Sequence, residues 1–341
     1  MTAPGSTVVE QDAADRLILD EALTAVSGAR VLVIGSLPLA EGARLAGATE
    51  VRVWLDSAAD VADAAALGFE ASASEAGFDV VLLRLPKSLR ALDSIARTVA
   101  ATSAAGVRVF AGGRLKYMTP RMNEVLLASF ERLDVSLARQ KSRVLIASVP
   151  RSVTLPEPAL TRVDELDLVV GSVGGVFAGG DLDLGTRALL EAFDQLPEYQ
   201  RAIDLGCGTG ILAALVKRRR PDATVIASDV SADAVSAARA TMLANGLDVD
   251  VVQEPALGGQ PDSSADLVVL NPPFHDGGRI STDLAGPLFE AAARVLRPGG
   301  ELWTVFNSSL GYRVELGRIV GDTNQVARTS KFTVTRSVRR S

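Results

Sequence analysis

The chain has 341 residues, 48% of them hydrophobic, and a formal net charge of −6. This length exceeds that of an ordinary single domain, so we expect two domains, each with an apolar core of its own. No run of about 18 uncharged apolar residues occurs, which argues against a membrane-spanning helix. A single cysteine, Cys207, and a single histidine, His275, predict no metal site, and the lack of a cysteine pair fits a cytoplasmic location.

The first half of the sequence predicts a helix over Ala13–Val26 and then a series of short apolar strands. Turn residues bound these strands and helical patterns separate them, which indicates an α/β domain with a mostly parallel sheet. The predicted strands are Arg30–Gly35, Val51–Asp56, Asp79–Pro86, Gly106–Phe110 and Ser142–Ser148.

A proline-rich stretch, Pro150–Pro158, follows these strands and predicts a stiff linker. We therefore divide the chain into a first domain over residues 1–150, a linker over 151–170 and a second domain over 171–341.

A glycine-rich turn, Gly206-Cys207-Gly208-Thr209-Gly210, lies between a predicted strand at Ala202–Leu205 and a helix that begins at Ile211. Glycines allow the backbone to approach a ligand closely, and the start of the helix offers free N–H groups. The next strand, Thr224–Ala227, leads to Asp229. An acidic residue about 20 positions beyond such a turn is where a nucleotide ribose is held by its hydroxyl groups.

The apolar run Leu267–Leu270 stops at Asn271-Pro272-Pro273-Phe274-His275. Proline cannot continue a sheet ladder, so this pattern predicts a buried strand that leaves its sheet abruptly. The Asn271 amide and the proline carbonyl groups can accept two hydrogen bonds from one planar NH2 group, and Phe274 can stack on the ring that carries it. Because parallel strands share one carboxyl edge, we expect these residues beside the glycine turn and Asp229.

These motifs resemble those of the class I S-adenosylmethionine-dependent methyltransferases. More narrowly, the chain is similar to the methyltransferase small domain family, and within it to bacterial ribosomal RNA guanine-N2 methyltransferases. The motifs that match lie close together only over about residues 171–341. Besides the glycine turn, Asp229 and Asn271–Gly277, the segments that carry it are Gly175-Val176-Phe177, Asp183-Leu184-Gly185-Thr186 and Gly299-Gly300-Glu301-Leu302.

The resemblance implies methyl transfer from S-adenosylmethionine to an exocyclic amine of a base in ribosomal RNA, with guanine N2 as the first choice. The expected cofactor-binding residues are Asp204, Gly206, Gly208, Gly210, Asp229 and Asn271. The expected catalytic residues are Asn271, Pro272 and Phe274, and the expected substrate-binding residues are Pro273, Phe274 and His275.

Other functions stay open at this point. Asn-Pro-Pro-aromatic sequences also serve adenine-N6 methylation and methylation of a protein glutamine amide at N5. A catalytically inactive ribosome assembly factor would keep the same fold.

The two halves show the same order of strands at similar spacings, which predicts two tandem Rossmann-like methyltransferase domains produced by internal duplication. The first copy is expected to be degenerate. It has Gly35-Ser36-Leu37-Pro38-Leu39 in place of the glycine turn, and Leu37 and Pro38 are expected to crowd a cofactor. It has Arg84 in place of Asn271, whereas Asp56 keeps an acidic strand end.

Basic residues are concentrated in two stretches despite the acidic overall balance. The first stretch contains Arg108, Arg114, Lys116, Arg121, Arg132, Arg139, Lys141, Arg143 and Arg151, and the second contains Arg328, Lys331, Arg336, Arg339 and Arg340. Such a local excess, with Arg84 and Lys87 at a strand end, can lie along phosphates, although it also describes an ordinary solvated surface. We therefore expect ribosomal RNA or a ribosomal subunit as the partner, bound in part by the first domain.

Overall fold

The computed structural model describes residues 11–71, 77–174, 182–272 and 285–341. The chain divides into two compact units, Met1–Glu157 and Pro158–Ser341. Both units are α/β, and each contains a seven-stranded, mostly parallel sheet in which the strand next to one edge runs antiparallel to both of its neighbours.

In the first unit, helices alternate with the parallel strands. The helices are α1 (Ala13–Val26), α2 (Leu37–Leu45), α3 (Ala58–Ala66), α4 (Leu89–Thr102) and α5 (Arg121–Ser129). The strands are β1 (Arg30–Ile34), β2 (Glu50–Trp54), β3 (Glu70–Ala71), β4 (Val80–Arg84), β5 (Arg108–Arg114), β6 (Phe130–Val135) and β7 (Ser142–Pro150). Their order in the sheet is β3-β2-β1-β4-β5-β7-β6.

The central strands of the first sheet are buried on both faces, as continuous apolar runs predict. Side chains alternate between the faces of a strand, so β1 contributes to two apolar clusters. Val31 and Val33 pack with α1 and α2, whereas Leu32 and Ile34 pack with α4 and α5.

The second unit opens with a separate antiparallel hairpin, β8 (Ala159–Val163) and β9 (Leu168–Ser172). Its helices are α6 (Leu184–Leu190), α7 (Ile211–Arg219), α8 (Ala232–Ala244), α9 (Ala285–Val295) and α10 (Arg313–Ile319). Its main strands are β10 (Arg201–Leu205), β11 (Thr224–Asp229), β12 (Asp250–Gln253), β13 (Ala265–Leu270), β14 (Leu296–Asn307), β15 (Gly321–Arg328) and β16 (Phe332–Arg339).

The second sheet has the order β12-β11-β10-β13-β14-β16-β15, the same order as the first. Strand β10 pairs in parallel with β11 and β13, and Leu205 stands opposite Ser228 and Leu270. The residues that follow these three strands therefore emerge at the same level of one edge, the carboxyl edge of the sheet.

Several element boundaries differ from the sequence prediction. The predicted linker 151–170 contains β8 and the start of β9, because its prolines end at Pro158 and a run with strand character follows. Strands β6 and β15 escape prediction because they are edge strands with mostly polar residues, in which only Phe130 and Gly321, respectively, are buried.

Strand β5 continues beyond Phe110 to Arg114, through two glycines that ordinarily weaken a strand. Gly112 is required there because α1 packs against it. A Cβ at Gly112 would lie 2.3 Å from Cγ1 of Ile18. None of the helices in the described ranges is both long enough and apolar enough to cross a membrane.

Candidate active site

A buried carboxylate fixes the glycine turn between β10 and α7. Asp204 is 1% exposed, and its Oδ2 accepts a hydrogen bond from the backbone N–H of Ala213 at 2.8 Å. Burial raises the pKa of Asp204 to about 7; the hydrogen bond from Ala213 opposes this shift and the negative charge of Asp229 adds to it. Asp204 therefore ties the end of the strand to the start of the helix and orients the turn between them.

All three glycines of the turn adopt left-handed backbone conformations, with φ of 70° at Gly206, 53° at Gly208 and 79° at Gly210. A Cβ at Gly206 or Gly208 would meet nothing within 4 Å, so these two border open space. A Cβ at Gly210 would lie 2.8 Å from Cε of Met242, so this glycine is required by packing against α8. The turn therefore combines a fixed base with an open rim that suits a ligand.

Asp229 closes the other side of the turn. Its Oδ2 accepts a hydrogen bond from the backbone N–H of Gly208 at 2.9 Å, and its Oδ1 accepts one from the N–H of Ser231 at 3.0 Å. The backbone N–H of Gly206 donates to the Ser228 carbonyl at 2.8 Å. Asp229 is only partly buried, and each carboxylate oxygen has a further lone pair for a hydroxyl donor.

Asn271 follows β13 and is held by the start of α6. Its Nδ2 lies 3.0 Å from Oγ1 of Thr186 and 3.2 and 3.4 Å from the carboxylate oxygens of Asp183. The same carboxylate caps α6 by accepting hydrogen bonds from the N–H groups of Gly185 and Thr186, at 2.8 and 3.1 Å. One carboxylate thus joins a helix start to the end of the strand.

These partners fix the orientation of the Asn271 amide. An ionised carboxylate only accepts hydrogen bonds, so the NH2 end must face Asp183. The opposite end, Oδ1, is buried and has no hydrogen-bond partner in the part of the chain that the structure describes. Gly185 leaves room for this oxygen, because a Cβ there would lie 3.0 Å from it. An unmet buried acceptor costs about 1–3 kcal/mol and favours a ligand that donates an N–H group.

The structure therefore brings the glycine turn, Asp204, Asp229 and Asn271 to one edge of the second sheet. Pro272 is buried directly after Asn271. The other residues predicted to bind the substrate, Pro273, Phe274 and His275, lie outside the described residues.

The sequence does not show that Gly185 leaves room for Oδ1 of Asn271. The hydrogen bonds of Asp183 and Thr186 with Asn271 are likewise not predicted, and only the family resemblance draws attention to these two residues. The separation in sequence explains why, since Asp183 and Asn271 are 88 positions apart.

Cys207, inside the turn, is buried and free of any disulfide. Burial strongly raises the pKa of its thiol, and the nearby carboxylates of Asp204 and Asp229 add to the shift. The residue is therefore a small packing group rather than a nucleophile. Among the described residues, no group of three His, Cys, Asp or Glu side chains is placed to hold a metal ion.

The first sheet shows which residues stand at the corresponding positions of the first unit. Ile34 is opposite Trp54 and Leu83, as Leu205 is opposite Ser228 and Leu270 in the second sheet. The corresponding residues are Val33 for Asp204, Leu55 for Asp229 and Arg84 for Asn271. The prediction that Asp56 takes the place of Asp229 is therefore wrong by one residue, and an apolar side chain stands there instead.

Arg84 is ion-paired within the unit, so the prediction that it is available to a phosphate is wrong. Its guanidinium donates hydrogen bonds to Asp12 at 2.5 and 2.6 Å and to Asp15 at 2.9 Å. Asp12 caps α1 by accepting the N–H groups of Ala14 and Asp15. Arg84 is therefore held at the start of α1 in the way that Asn271 is held at the start of α6.

A cavity of about 390 Å³ remains beside Gly35 in the first unit. Leu37 and Pro38 line this space, and the expectation that they crowd a cofactor stays a prediction. Its wall also contains Leu55 and Arg84, which replace the carboxylate and the amide of the second unit. The first unit thus keeps the shape of a crevice at this edge but none of the three polar side chains.

Comparison with known proteins gives a separate family match for each of the two units. The model of the methyltransferase small domain family matches residues 167–336, and that of the RLMG N-terminal domain matches residues 57–151. The open rim at Gly206 and Gly208 and the carboxylate of Asp229 fit the cofactor of that class. The chain is an S-adenosylmethionine-dependent methyltransferase.

Its sequence relatives narrow the class. Ribosomal RNA large subunit methyltransferase G of Streptomyces coelicolor is 36% identical over 282 residues, which cover 76% of this chain and 72% of the relative. The protein of that name from Shewanella amazonensis is 33% identical over 266 residues, covering 76% and 69%. The chain therefore belongs to the ribosomal RNA large subunit methyltransferase G family.

A solved structure supports the fold over nearly the whole chain. The T. thermophilus 16S rRNA N2 G1207 methyltransferase, in complex with AdoMet and guanosine, matches with a TM-score of 0.80. It is 23% identical, and the match covers 99% of this chain and 94% of that one.

The raised pKa of Asp204 predicts a pH dependence of stability. Between about pH 4 and pH 7 the unfolded chain has lost the Asp204 proton while the folded chain still holds it, so the free energy of unfolding falls as the pH rises through this range. The loss from this group is complete just above pH 7. Asp204→Asn keeps an acceptor for Ala213 but cannot ionise, so we expect the decline between pH 5 and 8 to shrink by about 2–3 kcal/mol.

Urea unfolding at both pH values measures this difference. A Trp54→Phe background leaves Trp303, which is buried in the second unit, as the only tryptophan reporter. An unchanged decline in Asp204→Asn would show that Asp204 is already ionised in the folded chain at pH 5.

Proposed function

We propose that the chain transfers a methyl group from S-adenosylmethionine to the N2 amine of a guanine in the RNA of the large ribosomal subunit. The observation that carries this proposal is the Asn271 Oδ1 atom, a buried acceptor without a partner among the described residues, at the end of β13. Such an atom matches an exocyclic NH2 group and mismatches a carbonyl group. The family membership supports ribosomal RNA as the source of that amine.

When bound, S-adenosylmethionine supplies a methyl group already activated by its positively charged sulfur. The glycine turn lies against the cofactor through Gly206 and Gly208, where no side chain intervenes. Asp229 accepts hydrogen bonds from the ribose hydroxyl groups. Asp204 holds the turn in place through Ala213, so that the reacting groups are aligned.

The substrate amine needs help because its lone pair is conjugated into the base. Asn271 Oδ1 and the Pro272 carbonyl accept its two N–H groups and stabilise the positive charge that develops on nitrogen as the new bond forms. Phe274 and Pro273 hold the base, with stacking on the ring worth about 1–3 kcal/mol. His275 adjoins this segment and positions the substrate, and the amine proton leaves to water. A base within a helix must be flipped out to reach these residues.

The proposal extends to the origin of the two units. Both sheets have the same strand order, and both keep a carboxylate that anchors the start of the central strand: Asp79 accepts the N–H of Arg30, and Asp266 accepts that of Arg201. This supports an internal duplication, with a degenerate first domain over residues 1–150 that binds RNA, a connection over 151–170 and a catalytic domain over 171–341. Such a substrate places the enzyme in the cytoplasm.

Tritiated methyl transfer to ribosomal RNA and to ribosomal subunits from a deletion strain tests the substrate. Nucleoside mass spectrometry should then find the label in N2-methylguanosine from the large subunit. Label in N6-methyladenosine, or in protein and not in RNA, would replace guanine by one of the other amines that an Asn-Pro-Pro segment serves. An absence of transfer to any of these, with the cofactor bound, would favour an assembly factor without catalysis.

Two substitutions separate cofactor binding from catalysis. Asn271→Ala removes the acceptor of the amine, and we expect turnover to fall about 100-fold or more while cofactor affinity changes little. Asp229→Ala removes the acceptor of the ribose hydroxyl groups, and we expect cofactor affinity measured by calorimetry to fall below detection. Equal losses of turnover and cofactor affinity in Asn271→Ala would contradict the role of its amide.

The double role of Asp183 allows a sharper test. Asn caps a helix as well as Asp does, so Asp183→Asn should leave the free energy of unfolding within about 0.5 kcal/mol. It places an NH2 group opposite the Nδ2 of Asn271, and the two donors cannot pair. We expect turnover to fall about tenfold at unchanged cofactor affinity, whereas Asp183→Ala should also lose about 1 kcal/mol of stability. Wild-type turnover in Asp183→Asn would show that Asn271 needs no support from α6.

A further inference from the structure

Many of the basic side chains predicted to contact RNA are used inside the fold. They form ion pairs or donate hydrogen bonds to backbone carbonyl groups, and they are Arg84, Arg139, Arg151, Arg336, Arg339 and Arg340. The first basic stretch is also divided by the register of the first sheet. Arg108 pairs with Ser148 at one end of β5, whereas Arg114 pairs with Ser142 at the carboxyl edge.

The carboxyl edge of the first sheet keeps a compact group of free cations. Arg114 ends β5, and a single 3₁₀ turn, Leu115–Tyr117, follows it. The N–H of Leu115 donates to the carbonyl of Lys141 at 2.9 Å, which fixes this turn beside the start of β7. Lys87 follows the neighbouring strand β4. Within the described ranges, none of these cations has a carboxylate at ion-pair distance.

An exposed aromatic ring lies among these cations. Tyr117 is 46% exposed, and its ring centroid lies 4.5 Å from Nζ of Lys116 and 5.5 Å from Nζ of Lys87. A hydrogen bond from Lys116 and the charges of Lys116, Lys87 and Arg114 lower the pKa of the Tyr117 phenol. The charged groups that act on the phenol are thus these three cations.

Single-stranded nucleic acid is recognised by this combination. Aromatic side chains stack on unpaired bases, and flanking cations contact the adjoining phosphates. The lysine side chains are flexible, so their ammonium groups can leave the ring for phosphates on either side of a stacked base. An exposed cation–π contact contributes little to stability, which leaves the arrangement without a structural purpose in the fold.

We propose that Tyr117, Lys87 and Lys116 form a stacking platform for an unpaired base of the RNA substrate. The base stacks on the Tyr117 ring, and the two lysines contact the phosphates that flank it. The platform occupies the carboxyl edge of the first sheet, the edge at which open α/β sheets bind ligands. It rests on the proposed function, because it supposes an RNA substrate.

Fluorescence anisotropy of the full-length chain with a short fluorescein-labelled single-stranded RNA tests the platform directly. Tyr117→Ala should weaken binding about 5- to 150-fold, the range that base stacking contributes, and Tyr117→Phe should bind as the wild type does. The corresponding RNA duplex offers no free base, so its affinity should not depend on Tyr117. The melting temperature of each variant should match that of the wild type, since Tyr117 is exposed and belongs to neither apolar cluster of the first unit.

The salt dependence of binding tests the lysines. Replacing Lys87 and Lys116 together by alanine should lower the magnitude of the slope of log affinity against log salt by about 1.4, because each phosphate contact to a single strand contributes about 0.7. Replacing both by arginine keeps the charges and should keep the slope.

Tyr117→Ala binding the single strand as tightly as the wild type, or an unchanged slope in the double alanine variant, would overturn the platform. If either result is found while the chain still methylates ribosomal RNA, the proposed function stands and only the platform is wrong. A wild-type chain that neither binds RNA nor methylates it would overturn both. Loss of stacking with unchanged cofactor affinity in Tyr117→Ala would support the platform, since Tyr117 belongs to the unit without the methyltransferase site.

Discussion

The candidate site depends on parallel strands that end at the same level. Residues scattered over a long stretch of sequence meet because β10, β11 and β13 run side by side, with Leu205 opposite Ser228 and Leu270. Each strand then presents its next polar group at the common edge. The backbone ladder thus sets the spacing between the glycine turn, Asp229 and Asn271, and side chains need only refine it.

The two units have some carboxylates in common and differ in others. Asp79 and Asp266 anchor a neighbouring strand through its backbone N–H groups, and both units keep them. Helix caps are kept as well, at Asp12 and Asp183. By contrast, Asp204 and Asp229 have apolar counterparts. Asp204 and Asp229 also satisfy backbone N–H groups, but those groups lie in and beside the glycine turn, which the first unit does not have.

Much of this was predictable from the sequence. Apolar runs in the sequence predict the buried strands. Glycines, prolines and strand-end acids mark the positions where β10, β11 and β13 leave the sheet. The edge strands β6 and β15 were missed, because alternation fades when few side chains are buried. The sequence points to Asp56 instead of Leu55 as the counterpart of Asp229, because it does not show at which residue a strand ends. The ion pairs of Arg84 were hidden by distance in sequence, as was the support that α6 gives to Asn271.

The ion pair in the first unit fixes which residue can stand at position 84. Exchanging Arg84 alone for asparagine would leave the carboxylates of Asp12 and Asp15 facing each other, and Asp15 is only 5% exposed. Stranding a fully buried partner in this way costs about 3–5 kcal/mol, and somewhat less here because Asp12 reaches solvent. Placing an asparagine there without this cost requires changing the arginine and both of its acids together. Electrostatics thus couples the identities of Asp12, Asp15 and Arg84.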